Sequence, residues 1–308
     1  MSVLVTAGEF FFDFIFYNLP RLPRMGEELV TDNFALELGG GAAISGITAA
    51  RLGRKVEIAT VLGDSSLDRF AREELERRGV RCGLLRHQRG KIGGLTVAVS
   101  LRRDRYFLTA AGANRWVEDY LLSPATRAKL ARARHVHFGL SPRGWGPFSR
   151  LVEYLHARGV TTSWDLGWHP EAARQAGFRR LFGRLSIVFL NRMEALRYSG
   201  APTPRKALDR MAQPGQCFVI KLGSEGAIAA APDGSFHRAP ALKVRAVDTT
   251  GAGDAFAGGF LHFWLEGAAL SECLRVGNAC GALSTTAPGG SVAVPTRAQL
   301  ARALARMR

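Results

Sequence analysis

The chain has 308 residues, 47% of them hydrophobic, enough to bury a full core in one large domain or in one domain with a small appendage. No run of about 18 apolar residues occurs, so we expect no membrane partner, and residues 1–7 enter a strand pattern without a secretory leader. The net charge of +16 comes from basic residues scattered along helical segments, so we expect no nucleic-acid partner. Four cysteines without a C-x-x-C pair indicate buried thiols of a cytoplasmic protein: Cys82, Cys217, Cys273 and Cys280.

An acid interrupts the apolar start of the chain. A first strand is predicted at residues 3–6 and a second at residues 10–17, and Asp13 lies in the second among phenylalanine and isoleucine side chains. A carboxylate in so apolar a strand needs a partner. Asp13 therefore either caps a turn or accepts hydrogen bonds from the hydroxyl groups of a substrate.

A run of three glycines precedes the first predicted helix, at residues 42–52. Gly39, Gly40 and Gly41 allow close approach of the backbone or a hinge at this point. A buried strand at 56–62 and an amphipathic helix at 67–80 follow. Strands predicted at 95–101 and 106–109, joined by a polar turn at 102–105, form a hairpin.

The middle of the chain alternates between helices and strands. We predict helices at 117–133, 145–158 and 171–183, and strands at 134–138, 160–164 and 186–190. This rhythm is typical of a parallel sheet with helices on both faces. His135 and His137 lack a third ligand nearby and are predicted to be core or sheet-edge histidines rather than metal ligands. The segment 165–170 follows a strand end, where α/β proteins bind ligands.

The most informative stretch is the glycine-rich sequence at residues 248–260. We predict a strand at 242–247, then a turn with Gly251 and Gly253, then a helix. The free N–H groups at a helix start form an anion site, and glycine lets the anion approach the backbone. Asp254 is either an ordinary helix cap or a base that takes a proton from a hydroxyl attacking a phosphate.

From Asp248 to Leu261 the sequence resembles the signature of the ribokinase-like, or PfkB, carbohydrate kinase family. The resemblance covers nearly the whole chain and implies a three-layer α/β/α sandwich with a mostly parallel central sheet. It also implies a small β-sheet lid, built from about residues 10–35 and 90–110 of a single domain. The implied activity is ATP-dependent phosphorylation of a hydroxyl on a sugar or sugar-like molecule, with ATP and Mg²⁺ as cofactors and possible pairing of lids into a homodimer.

The same resemblance implies a role for individual residues. Asp254 would be the general base, and the amides of Gly251, Ala252 and Gly253 would hold the charge of the transferring phosphoryl group. Substrate contacts would come from Asp13, Gly39, Gly40, Gly41 and Arg105. ATP would be held by Asn191, Lys221, Gly223, Gly226 and Asn278. Glu194 would hold Mg²⁺ through water, and Asp248 and Thr250 would hold a K⁺ ion.

Two departures from the family pattern keep other functions open. Phe11 stands where a polar residue often assists the substrate-gripping acid, and Ile44 stands where the family usually has asparagine. Alternatives are therefore a nucleoside kinase of the same fold, in which phenylalanines stack on a base, and a non-catalytic sugar-sensing protein. Asn191 and Glu194 also form an ordinary helix cap, so this pair is weak evidence alone.

Overall fold

The computed structural model describes residues 3–101, 105–167, 169, 171, 174–175 and 177–306. The strands of these residues, in chain order, are β1 (Leu4–Gly8), β2 (Phe11–Leu19), β3 (Phe34–Gly39), β4 (Val56–Leu62), β5 (Val80–His87), β6 (Gly94–Leu101), β7 (Arg105–Ala110), β8 (His135–Gly139), β9 (Thr161–Asp165), β10 (Ile187–Asn191), β11 (Cys217–Lys221), β12 (Ala227–Ala230) and β13 (Phe236–Ala239). The helices are α1 (Gly41–Arg51), α2 (Ser66–Arg77), α3 (Val117–Leu122), α4 (Pro124–Leu130), α5 (Trp145–His156), α6 (Phe178–Phe182), α7 (Arg192–Ser199), α8 (Pro204–Met211), α9 (Ala252–Trp264), α10 (Leu270–Ser284) and α11 (Arg297–Ala305).

The main sheet runs in the order β13-β12-β11-β10-β9-β8-β1-β4-β5 over the described residues. Every neighbouring pair from β5 to β11 is parallel, and only the β11-β12 and β12-β13 pairs are antiparallel. The strand order reverses at β1, because β4 lies on one side of it and β8 on the other. A parallel sheet opens a crevice for ligands beyond its carboxyl ends at such a reversal.

Both faces of the main sheet are covered by helices, as predicted. In β10, Val188 and Leu190 pack into the core that holds α3, α5 and α8, whereas Ile187 and Phe189 pack into the core that holds α1, α9 and α10. Successive side chains of a strand point to opposite faces, so a doubly covered strand reads as a continuous apolar run. The three-layer sandwich follows from this pattern.

Helix α9 packs closely against its two neighbours because it carries glycine where they touch. A Cβ at Gly258 would collide with the carbonyl oxygen of Ser45 in α1, and a Cβ at Gly259 would lie 2.6 Å from Cys280 Sγ in α10. The backbones therefore approach to a distance that no side chain would permit. This packing holds the start of α9, which carries Asp254, at the carboxyl edge of the sheet.

The second sheet is a four-stranded lid in the order β3-β2-β6-β7. One cross-strand row is polar: Glu37, Asp13, Thr96 and Thr109. The rows on the opposite face are apolar: Phe34, Phe16, Val99 and Tyr106, then Leu36, Phe14, Val97 and Leu108. The lid segments expected from the sequence overlap these strands, although most of β3 lies beyond residue 35.

Three predicted elements differ from the structure. The single helix predicted at 117–133 is two helices, because Ser123 is extended before Pro124 and caps α4 instead of continuing α3. Residues 242–247 form no strand, because this largely exposed segment leaves the sheet after β13 and reaches the end of α10, where Val247 N–H donates to the Thr285 carbonyl at 2.7 Å. Of the helix predicted at 171–183, the described residues form only α6.

The cysteines agree with a simpler expectation. Cys82, Cys217, Cys273 and Cys280 are free and buried. None of the helices in the described ranges is long and apolar enough to cross a membrane. The two histidines of β8 are core residues, since Ser163 Oγ lies 2.7 Å from both His135 Nε2 and His137 Nδ1.

Candidate active site

The turn before α9 exposes backbone N–H groups. Gly251 caps the helix with a φ of 70°, a conformation that favours glycine, and a Cβ there would lie 2.5 Å from Ile44 Cδ1. Ala252 N–H makes a long hydrogen bond of 3.4 Å to the carbonyl of Thr249. The first hydrogen bond of the helix runs from Ala255 N–H to the carbonyl of Gly251, at 2.9 Å. The amides of Gly253 and Asp254 precede that bond and point out of the helix start, where they suit an anion.

Asp254 lies in the first turn of α9 and faces the start of α1. A Cβ at Gly41 would lie 3.0 Å from Asp254 Oδ1, so the glycine run and the acid meet. Burial raises the pKa of Asp254 to about 7, and the charges of Asp165 and Glu194 add to this rise while Lys221 opposes it. A carboxylate with this pKa can accept a proton near neutral pH.

Asp13 projects from the polar face of the lid. It is 6% exposed, and a Cβ at Gly39 would collide with its carboxylate. Burial raises the pKa of Asp13 to about 7, with further rises from Asp248, Asp254 and Glu37. No hydrogen bond to its carboxylate comes from the residues that the structure describes. A buried acceptor left open in this way suits the hydroxyl groups of a ligand.

An ion pair that sequence reasoning missed lies beneath the turn. Lys221 Nζ, at the end of β11, contacts Asp165 Oδ2, at the end of β9, and both side chains are largely buried. Burial disfavours the ammonium, but the carboxylates of Asp165, Glu194 and Asp254 together raise its pKa. The only signal for Asp165 in the sequence was its position after a strand.

Asn191 and Glu194 form the capping box of α7. Glu194 N–H donates to Asn191 Oδ1 at 2.9 Å, and Asn191 N–H donates to Glu194 Oε2 at 2.8 Å. Glu194 is 2% exposed, and burial, the charge of Asp165 and the opposing charge of Lys221 leave its pKa at about 7. The pair thus serves the helix, and the remaining lone pairs of the carboxylate suit the waters of Mg²⁺.

The residues expected near the nucleotide are spread along the same edge. Gly223 has open space around it, whereas Gly226 has a φ of 95° and lies against the Ala239 carbonyl. Asn278 Nδ2 donates to the carbonyls of Ala239 and Pro240, at 3.0 Å each, so its amide holds the end of β13 in place.

The loop expected to hold K⁺ is organised by Asp248. Its two carboxylate oxygens accept from Thr250 N–H at 2.9 Å and from Gly289 N–H at 3.0 Å. Gly290 in turn lies against Gly251, where Ile44 Cδ1 fills the space between them. Both carboxylate oxygens of Asp248 therefore accept hydrogen bonds from amides of the surrounding loops. Arg105 begins β7, and its side chain lies outside the described part of the structure.

Comparison with known proteins gives a consistent result. Residues 1–297 match the model of the pfkB family carbohydrate kinases. The aminoimidazole riboside kinase of Salmonella typhimurium is 30% identical over 303 residues, covering 85% of this chain and 86% of that protein. The ribokinase of Haemophilus influenzae is 25% identical and covers 91% of each chain.

Solved structures agree on the fold. Arabidopsis thaliana ribokinase complexed with ribose and ATP superposes with a TM-score of 0.84, at 23% identity and 98% coverage of both chains. A putative ribokinase II from E. coli in complex with ATP and Mg²⁺ has a TM-score of 0.83, at 20% identity, over 99% of this chain and 100% of that one. The family match spans almost the whole chain, including every strand and helix around the turn at 251–254. The chain therefore belongs to the pfkB family of carbohydrate kinases.

Proposed function

We propose that this kinase transfers the γ-phosphoryl group of ATP to a hydroxyl of a sugar or sugar-like small molecule, with Asp254 as the general base. The observation that carries the proposal is the position of Asp254. Its carboxylate, whose pKa is about 7, lies in the same helix turn as the outward-pointing amides of Gly253 and Asp254. Base and anion site are therefore adjacent, as transfer between a hydroxyl and a phosphate requires.

The reaction follows from the positions of the residues. The acceptor hydroxyl lies between Asp254 and the γ-phosphate, and Asp13 accepts hydrogen bonds from the other hydroxyls of the substrate. As the hydroxyl oxygen attacks in line, Asp254 takes its proton and the amides at the start of α9 stabilise the charge on the phosphoryl oxygens. Asn191 and Glu194 would hold Mg²⁺ through water, and the ion would offset the charge of the phosphates.

A nucleoside is the second candidate for the substrate. Phe11 is partly exposed at the base of the lid, and a Cβ at Gly94 would lie 2.7 Å from its ring. A ring in this place can stack on a base, whereas it offers nothing to a hydroxyl. The name of the Salmonella typhimurium relative, a riboside kinase, points in the same direction.

We also propose that the lid pairs with the lid of a second copy of this chain. Two cross-strand rows of its outer face are apolar, and on them Phe34, Tyr106 and Leu108 are 43%, 47% and 71% exposed. An exposed apolar face of this kind is typical of a surface that binds another protein chain. The edge strands β3 and β7 of the described sheet could also pair with strands of that chain.

The test is an assay of ATP consumption, coupled to ADP detection, across sugars, sugar acids and nucleosides, with the wild type and Asp254→Asn side by side. We expect one acceptor class to stimulate the wild type, and the Asn variant to lose about 10²-fold or more in kcat. The kcat/KM of the wild type should fall below about pH 7, because Asp254 then carries a proton. Near-normal turnover of the Asn variant would show that Asp254 is not the general base. Sugar binding without ATP consumption would indicate a sensor instead.

A further inference from the structure

A buried ion pair joins two strand ends beneath the turn that carries Asp254. Asp165 ends β9 and Lys221 ends β11, with β10 between them, and the side chains are 7% and 12% exposed. Holding two charges in such a place is costly, and hydrophobic residues of similar size would often be at least as stable. The pair is therefore a weak contribution to stability, and its position suggests another role.

The ammonium of this pair lies close to the start of α9, which carries a second carboxylate, that of Asp254. A Cβ at Gly253 would be 2.7 Å from Lys221 Nζ, so the lysine lies directly under the first turn of α9. The charges of Asp165, Glu194 and Asp254 all act on Lys221, and that of Asp165 acts most strongly. In the described structure, however, its hydrogen bond goes to Asp165 and not to Asp254.

We propose that Asp165 is a positioning residue that anchors the Lys221 ammonium and so keeps it from pairing with Asp254. A lysine bonded to Asp254 would occupy the lone pair that must accept the proton of the substrate. Anchored on Asp165, the same lysine adds positive charge beneath the anion site without occupying the base. This inference rests on the proposed role of Asp254.

The surroundings of Asp254 are consistent with this division of roles. Besides Asp165 and Lys221, the ionisable groups that face it are Glu194 at the start of α7 and Asp13 on the lid. Their charges raise the pKa of the neighbouring carboxylates and add no competing cation. His137 on β8 faces the ion pair from the core, where burial lowers its pKa to about 4 and keeps it neutral.

The test measures the titration of Asp254 itself and needs no substrate. Protein carrying ¹³C-labelled aspartate is titrated by NMR, and the signal missing from Asp254→Asn identifies Asp254. In Asp165→Asn the signal of Asp254 should titrate at least about one pH unit lower than in the wild type, because the charge of Asp165 is gone and the freed ammonium turns to Asp254. In the double variant Asp165→Asn/Lys221→Met that cation is gone, so the Asp254 signal should titrate at higher pH than in Asp165→Asn. Lys221→Met alone should raise the titration by less, because the anchored ammonium makes no hydrogen bond to Asp254. An equal rise with and without Asp165 would mean that the ammonium does not move.

The control is Asp209→Asn, which removes an aspartate that is 54% exposed and paired with Arg205 on the surface. It should leave the Asp254 titration unchanged. An unchanged titration in Asp165→Asn, or equal titrations in that variant and the double variant, would overturn the inference. If Asp165→Asn does not fold, the Asp254 titration of the double variant, which loses both charges, is compared with that of the wild type. If Asp254 in the double variant titrates one pH unit or more below its wild-type value, the freed lysine has no part in the shift, and the inference fails.

Activity then separates this inference from the proposed function. With the acceptor found in the screen, the acid limb of kcat/KM should move to lower pH in Asp165→Asn, in step with the NMR titration. If Asp254→Asn keeps its activity, the proposed function fails whatever the lysine does. If Asp254→Asn is inactive and the limb does not move in Asp165→Asn, only the role of Asp165 fails.

Discussion

At the scale of single residues, the site is a concentration of buried acids whose pKa values are raised. Asp13, Glu194 and Asp254 each have a pKa of about 7, and burial is the largest cause in every case. Acids held at this pKa are able to exchange a proton near neutral pH, and they also attract cations. Their convergence from the lid, from α7 and from α9 distinguishes this edge of the sheet from the rest of the surface.

Asp13→Asn tests the substrate side of the site. The amide keeps the size of the carboxylate but loses its charge, so charge-assisted hydrogen bonds from substrate hydroxyls should weaken by about 1.5–3 kcal/mol. We expect the KM of the acceptor to rise by about tenfold or more, with the KM of ATP nearly unchanged. Steady-state kinetics with each substrate varied in turn measure both. If neither constant changes, Asp13 has a structural role.

At the scale of elements, the start of α9 is placed by glycine contacts in the body of the helix. Gly258 lies against the backbone of α1, where a side chain has no room, while the same helix carries Asp254 at its first turn. The distance between these helices therefore decides how the anion site meets the glycine run at residues 39–41. The packing of α1 and α9 links stability to the geometry of the site.

Gly258→Ala should destabilise the protein although alanine is the better helix former. Its methyl group would collide with the Ser45 carbonyl, and overpacking of this kind costs about 1–3 kcal/mol, more than the helix propensity returns. The control is Gly146→Ala in α5, where the nearest atom to a new Cβ is the end of a flexible arginine at 3.7 Å. Urea denaturation gives both free energies of unfolding. Equal stability of the two variants would show that α1 and α9 adjust freely.

At the scale of the whole molecule, the lid has two different faces. The row with Asp13 and Glu37 turns polar groups towards the site, and the rows with Phe34 and Leu108 turn apolar groups away from it. Strict alternation in four strands produces this separation. The proposed substrate contacts and the proposed pairing with a second copy of the chain would therefore use opposite faces of one sheet.

Leu108→Glu should convert a lid-paired dimer into a monomer. Leu108 is 71% exposed on the apolar face, and a charge there would be buried without a partner in a dimer. Light scattering after size-exclusion chromatography should give twice the chain mass of 33.4 kDa for the wild type and that mass once for the variant. Phe70→Glu, at an exposed position on α2, is the control and should remain dimeric. A monomeric wild type would contradict pairing through the lid.

Features that depend on neighbours in the sequence were predictable. The turn and helix at residues 248–260, the capping box of α7 and the alternation of strands and helices all follow from residues a few positions apart. Capping, glycine conformation and hydrophobic periodicity act over that range. The sequence alone therefore determined the type of fold, and it predicted the turn and helix that carry Asp254.

Only the tertiary structure decided which distant residues meet. Lys221 reaches Asp165 across 56 positions, because β9 and β11 flank β10 in one sheet, and Asp13 meets the charge of Asp254 because the lid folds over the edge. The segment 242–247 has the alternation of a strand, but it leaves the sheet after β13 and bonds to the end of α10 instead. Strand order and lid position arise from the packing of the whole chain, and no local pattern encodes them.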